Sequence, residues 1–217
     1  MSNSSIGDQL KEQIKDKTGH SLKFSAFLSK NSDAPYVVKR KVWHSALMSA
    51  LFYSCESWLT RDLKAAEKVY MTTLKQMMSV RTTTCTDIVL LESGEIGAKG
   101  LIRMRQYNFL RQLFNRVSFN GSYLEQVINK ARESNTVSGR LITELMDDTY
   151  PDCVTEITDR RKQSVMMSNS TRRKTYRDLN PTLSTSPVYS DEDIPEWERK
   201  AFTRMRLSSH DLAFEKG

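Results

Sequence analysis

The chain has 217 residues, 38% of them hydrophobic, enough to bury one sizeable core or two small ones without disulfide staples. Its 33 Lys and Arg against 26 Asp and Glu leave a net charge of +7, which favours an anionic partner but does not choose among nucleic acid, a lipid surface and an acidic protein. Three scattered cysteines, Cys55, Cys85 and Cys153, exclude a disulfide-framed secreted scaffold.

The opening "MSNSSIGDQLKEQIKDK" has no apolar signal region, and the longest apolar stretch, "ALMSALFY", is too short to span a bilayer. The expected location is therefore intracellular, in nucleus or cytoplasm, with no membrane partner, no secretion and reduced thiols.

Taken in chain order, the pattern is helical almost throughout and predicts an all-α fold. Residues 1–33 read as a helical lead-in, and a helical bundle follows over residues 34–120. Its first helix opens after Pro35, with Val42, Trp43, Ala46, Leu47, Ala50 and Leu51 at three- and four-residue spacing and Lys39, Arg40 and Lys41 on the outer side. Its second carries Leu63, Ala66, Tyr70, Leu74 and Met77, after Thr60 and Asp62 as possible caps. "CTDIVLLESGEIGAKG", with Gly94, Gly97 and Gly100, reads as an irregular patch holding one helical turn and a loop. A third helix combines Leu101, Ile102, Phe109, Leu110, Leu113, Phe114 and Val117 with an arginine face.

Residues 121–178 hold two shorter helices, Tyr123 to Ala131 and Arg140 to about Met146, and then a basic linker. Residues 179–195, rich in Pro and Ser, read as an extended linker, and residues 196–217 as a short basic helix. No internal repeat is present.

Four features invite a chemical reading. "LMDDTY" places Asp147 beside Asp148, as polymerases write a metal-binding pair. That chemistry needs carboxylates converging on ions roughly 3.5–4 Å apart at a strand hairpin. Here Leu141, Ile142 and Leu145 are at helical spacing and Pro151 follows, so the pair reads as a solvated helix end.

His44 and Cys55 lie on one expected helix, about 16 Å apart along its axis, too far for a nucleophile and its base. Cys55 then reads as a small buried hydrophobe. The three histidines and three cysteines show no metal-ligand spacing, and "GEIGAKG" lacks the phosphate-loop order, so no metal or cofactor is expected.

The cations are the better candidates. Lys99, Arg103, Arg105, Arg111 and Arg116 fall in a stretch without an acidic residue, and a helix with one apolar and one arginine face can lie along a phosphate backbone. Lys39, Arg40 and Lys41 would form a second edge. A solvated basic face is the competing reading. The "RRK" triplets at 160–162 and 172–174 admit nucleic-acid binding, a nuclear-import patch or linker solubility.

Several stretches together resemble the region downstream of the catalytic core in LINE-type non-LTR retrotransposon reverse transcriptases. They are "KFSAFLSKNSDAPYVVKRKVWHSALMSALFYSCESWL", "LKAAEKVYMTTLKQMMSVRTTTCTDIVLLESG", "AKGLIRMRQYNFL" and "IPEWERKAFTRMRLSSHDLAFEKG". The family's L-Y-G-x-E-x-W pattern is met by Phe52, Tyr53, Ser54, Cys55, Glu56, Ser57 and Trp58, with Ser54 in place of glycine, and "EIGA" stands where many members have leucine-proline-proline.

The resemblance runs from about Lys23 to Gly217. It implies a thumb-like bundle that grips primer and template, with the palm and its aspartates upstream and a Cys/His-rich segment beyond Gly217. The chain is accordingly expected to be a non-catalytic, nucleic-acid-binding fragment. Its partners would be RNA, DNA or their hybrid, without sequence preference, and an upstream polymerase palm, with no small-molecule substrate. Two other readings remain: a decayed retroelement product without activity, and a helical protein-interaction module using exposed Trp43, Trp58 or the ten methionines.

Overall fold

The computed structural model describes residues 6–116, 121–147 and 150–208, and it is all-α, with no strand among those residues. No helix among them is long and apolar enough to cross a membrane.

The lead-in is two helices, α1 (Ile6–Asp16) and α2 (Thr18–Lys30), which bury Leu10, Ile14 and Phe24 in the main core. Pro35, which cannot continue a helix, starts α3 (Tyr36–Val42). A π-helical turn, Trp43–Met48, then interrupts it before the short α4 (Ser49–Leu51). The wider turn carries one extra residue, so the buried face is not the one that regular spacing predicts. Ala46 is exposed, and Met48 and Phe52 enter the core beside Trp43, Leu47 and Leu51.

After a loop, α5 (Lys64–Met77) buries the expected stripe of Leu63, Ala66, Tyr70, Leu74 and Met77. Trp43 and Trp58 are buried as well, which removes them as exposed interaction residues. Trp43 donates from Nε1 to Thr73 Oγ1 at 2.9 Å and meets Tyr70 edge-on.

The patch expected to be irregular is a helix, α6 (Thr86–Ser93), whose residues from Ile88 to Ser93 are all buried. A helix covered on every side shows no amphipathic stripe, so periodicity misses it. Gly94 closes α6, and α7 (Gly97–Phe114) follows at once.

The second half of α7 leaves the main core and packs on a hairpin of α8 (Tyr123–Glu133) and α9 (Val137–Asp147). There Leu110, Ile128, Leu141, Ile142 and Leu145 form a second, smaller cluster. Phe109, expected on the apolar face, is 47% exposed. Ser122 accepts from the Glu125 amide while the Glu125 carboxylate accepts from the Gly121 amide, so α8 begins with two end groups satisfied reciprocally. Gly139 lets α9 press against the end of α8, because a Cβ there would overlap the carbonyl oxygen of Ala131. Val117, Asp148 and His210 lie outside the described residues.

Beyond this hairpin come α10 (Tyr150–Met166), α11 (Thr171–Leu179) and α12 (Glu196–Arg206). The segment read as an extended linker holds a short 3-10 turn, Pro187–Tyr189, and is docked on the body. Leu183 and Tyr189 are buried in the main core, and Tyr189 meets Tyr36 edge-on at 5.0 Å. Two buried aromatic and aliphatic anchors hold it there despite its Pro- and Ser-rich composition.

Candidate nucleic-acid interface

The eight cations marked by the sequence divide into those bonded to other groups of the chain, of which Arg40 is still exposed, and those left on its surface without such a bond among the described residues. Lys39 is 2% exposed, not on the outer side of α3. Its Nζ donates to Glu196 Oε1 at 2.6 Å and to the Ser32 carbonyl at 2.7 Å. The cause is α12, which lays Glu196 against α3 from 157 residues away and draws the lysine inward. Arg199 completes the group, donating to both Glu196 oxygens at 2.6 Å. Burial opposes the Glu196 charge, but the Arg199 and Lys39 hydrogen bonds outweigh it and hold the carboxyl below the usual range.

Arg40 donates to Glu95 Oε1 at 2.9 Å, where His44 Nε2 also lies at 3.0 Å. Burial opposes the Glu95 charge too, and the contacts from His44 and Arg40 again prevail and lower its pKa. Lys41 is exposed and pairs with no carboxylate among the described residues.

On α7 the expected arginine face points partly inward. Arg103 is 9% exposed and donates to the Thr60 carbonyl at 3.0 Å and to Gln106 Oε1 at 2.6 Å. Gln106 in turn donates to the Trp58 carbonyl at 2.8 Å and the Cys55 carbonyl at 3.3 Å, and Arg105 to the Phe52 carbonyl at 3.1 Å. These carbonyls belong to the loop that follows the end of the helical run at Leu51, where short turn bonds replace the helical ladder and leave room for a second donor. Arg103, Arg105 and Gln106 therefore act as a clamp on the loop that carries the Phe52 to Trp58 stretch.

Within that loop Ser54 has φ 62°, the left-handed conformation that glycine favours, so the turn keeps a glycine-like shape without glycine. Cys55 lies in a 3-10 turn, not on the helix of His44 as expected, and is fully buried. Burial raises its thiol to about 11, leaving it a packing residue.

Lys99, Arg111 and Arg116 remain exposed. Of these, Lys99 borders a cleft of about 500 Å³ between α5, α6, α7 and α10, together with Lys64, Lys68 and Arg161. Lys64 and Lys68 are four residues apart on α5 and share a face, a signal the sequence already contained.

Arg161 is a different case, because only the packing of α10 on α6 and α7 brings it here. Its Nη2 donates to the Ile96 carbonyl at 2.6 Å and its Nη1 to the Glu95 carbonyl at 3.4 Å. Gly97, at φ +80°, is where the guanidinium crosses the backbone; a Cβ there would sit 2.9 Å from Arg161 Nη2.

Among the described residues no three of His, Cys, Asp and Glu converge as metal ligands would. No family model, curated protein or solved structure matches the chain.

Proposed function

We propose that the chain is a helical nucleic-acid-binding module, corresponding to the thumb and post-thumb region of a LINE-type reverse transcriptase and carrying no catalysis of its own. One observation supports it most: after the internal pairing of Lys39, Arg40, Arg103 and Arg105, a set of exposed cations remains at Lys41, Lys99, Arg111 and Arg116. Exposed cations on a helical frame suit sequence-independent phosphate contact, in which counterion release drives binding.

The test is a gel-shift titration of RNA, DNA and hybrid duplexes over a salt series. Replacing Lys99 and Arg111 by alanine reduces the slope of log K against log salt by about 0.7–0.9 per lost contact. An unchanged slope and affinity in that double variant refutes the assignment. In the same preparation Mg²⁺-dependent primer extension is expected to be absent, and extension that disappears when Asp147 and Asp148 become alanine would restore the polymerase reading.

A further inference from the structure

The cleft between α5, α6, α7 and α10 has a charge pattern unlike any other cation group described above. Lys64, Lys68, Lys99 and Arg161 line it, against the two carboxylates Glu67 and Asp87. Asp87 is already engaged, because Arg173 reaches its Oδ2 at 3.0 Å. Lys64, Lys68 and Lys99 are exposed at the rim, and their ammonium groups form no ion pair among the described residues.

Arg161 is partly buried and bonds to two backbone carbonyls and to no carboxylate. Burial disfavours its charge, and Asp87 and Glu67 favour it from across the cleft without bonding to it, so burial is only partly offset and an anion at the guanidinium would complete the arrangement. Elsewhere Lys39 and Arg199 are supplied with a carboxylate by Glu196 and Arg206 by Glu92, whereas buried Lys75, like Arg161, is met by a backbone carbonyl. Arg161 differs from Lys75 in its place, because it lines an open cleft whose wall also carries three lysines.

From this we infer that the cleft is a phosphate-binding site, with Arg161 as its fixed guanidinium and Lys64, Lys68 and Lys99 as its mobile cations. The guanidinium is held by its own bonds to Ile96 and Glu95, so it offers a preset donor edge, while the lysines adjust to the ligand. The volume of about 500 Å³ lies within the range of small-ligand sites. Met71, Leu90 and Ala98 supply an apolar wall beside the charges. A phosphate with an attached flat organic group fits that mixture, whether it arrives as a free monoester or as one unit of a nucleic-acid backbone. The site deepens the nucleic-acid reading by naming where a phosphate sits, but it stands on its own geometry.

The test uses the full chain, ¹⁵N-labelled and held at constant ionic strength. It is titrated separately with inorganic phosphate, with a nucleoside monophosphate and with a short single-stranded DNA oligonucleotide. Saturable amide shifts confined to Gly97, Ala98 and Lys99, with a shift at Arg161 Nε, are expected with at least one of the three. Saturation by phosphate or monophosphate identifies a free phosphoester as the ligand, whereas saturation by the oligonucleotide alone identifies the backbone diester.

A Lys64→Glu/Lys99→Glu variant, altered at exposed positions, is expected to weaken the binding about tenfold or more and to lower the salt slope. Lys64→Arg/Lys99→Arg should retain it, and Lys23→Glu/Lys30→Glu, the same charge change on α2, should leave it within about twofold. Diffuse shifts, or shifts equal in the two glutamate variants, overturn the site. If Lys64→Glu/Lys68→Glu leaves oligonucleotide affinity and salt slope unchanged, this inference falls while the nucleic-acid reading, carried by Lys41, Lys99, Arg111 and Arg116, stands. If inorganic phosphate saturates the cleft while no nucleic acid binds, the reverse holds.

Discussion

Lys39 and Lys99 are both lysines on helices of the same bundle, yet one is sealed against Glu196 and the other stands on the rim of an open cleft. Around the first, charge is matched by charge: Glu196 receives both Lys39 and Arg199, each with a nearly inaccessible side chain. Around the second, four cations meet only carbonyls, solvent, Glu67 and an aspartate already engaged by Arg173. Cations of the first kind are bonded into the fold, and those of the second are the ones we propose for a ligand. Net charge alone does not separate them; partner and burial do.

The contrast can be broken most forcefully at its inner end. Glu196→Ala leaves Lys39 and Arg199 buried without their carboxylate, and urea denaturation is expected to show a loss of about 3–5 kcal/mol. A loss below about 1 kcal/mol would place this trio among ordinary surface pairs. Arg103→Ala comes next. It strips the Thr60 carbonyl and Gln106 of their donor, and the expected loss is about 1–3 kcal/mol, with the 52–60 loop protecting its amides less well in hydrogen exchange.

The acid limb sharpens the same point. The Glu95 and Glu196 carboxyls are held below 4.5 in the folded chain, so their contribution is present above the unfolded value and is lost as pH falls through the folded one. Stability should stay flat from neutral pH to near 4.5 and decline below it, and Glu196→Gln should flatten part of that decline. The smallest effect belongs to the outer set: Lys64→Ala/Lys99→Ala should shift stability by no more than about 0.5 kcal/mol and leave the acid limb unchanged. A larger shift would mean that these lysines, too, are structural.

The sequence reveals the elements whose partners are near in the chain or whose burial is one-sided. The stripe from Leu63 to Met77 follows regular spacing and is buried as read. Trp43, Leu47 and Leu51 are likewise core, but the π-helical turn between them exchanges Ala46 for Met48, and periodicity carries no sign of an inserted residue. The α6 helix is hidden by its own uniform apolarity, and the 180–195 segment by anchors, Leu183 and Tyr189, too sparse to form a pattern.

For the site the division is similar. Lys64, Lys68 and Lys99 are recognisable as exposed cations on helices, whereas Arg161 joins them only through helix packing. The inward turn of Lys39 depends on a residue 157 positions away, and no local rule reports it.

That separation also governs how the chain must fold. Glu196 and Lys39 meet, and so do Glu92 and Arg206, 114 positions apart, so the first half of the bundle keeps buried charges unanswered until α12 arrives. On a ribosome releasing about 5–20 residues per second, that interval is on the order of ten seconds. During it the α1–α7 portion exists without its last helix, and non-local closure of this kind is slow. The C-terminal helix thus works as a latch, and a nascent chain halted before it would present Lys39 and Glu92 to whatever chaperone or nucleic acid is nearest.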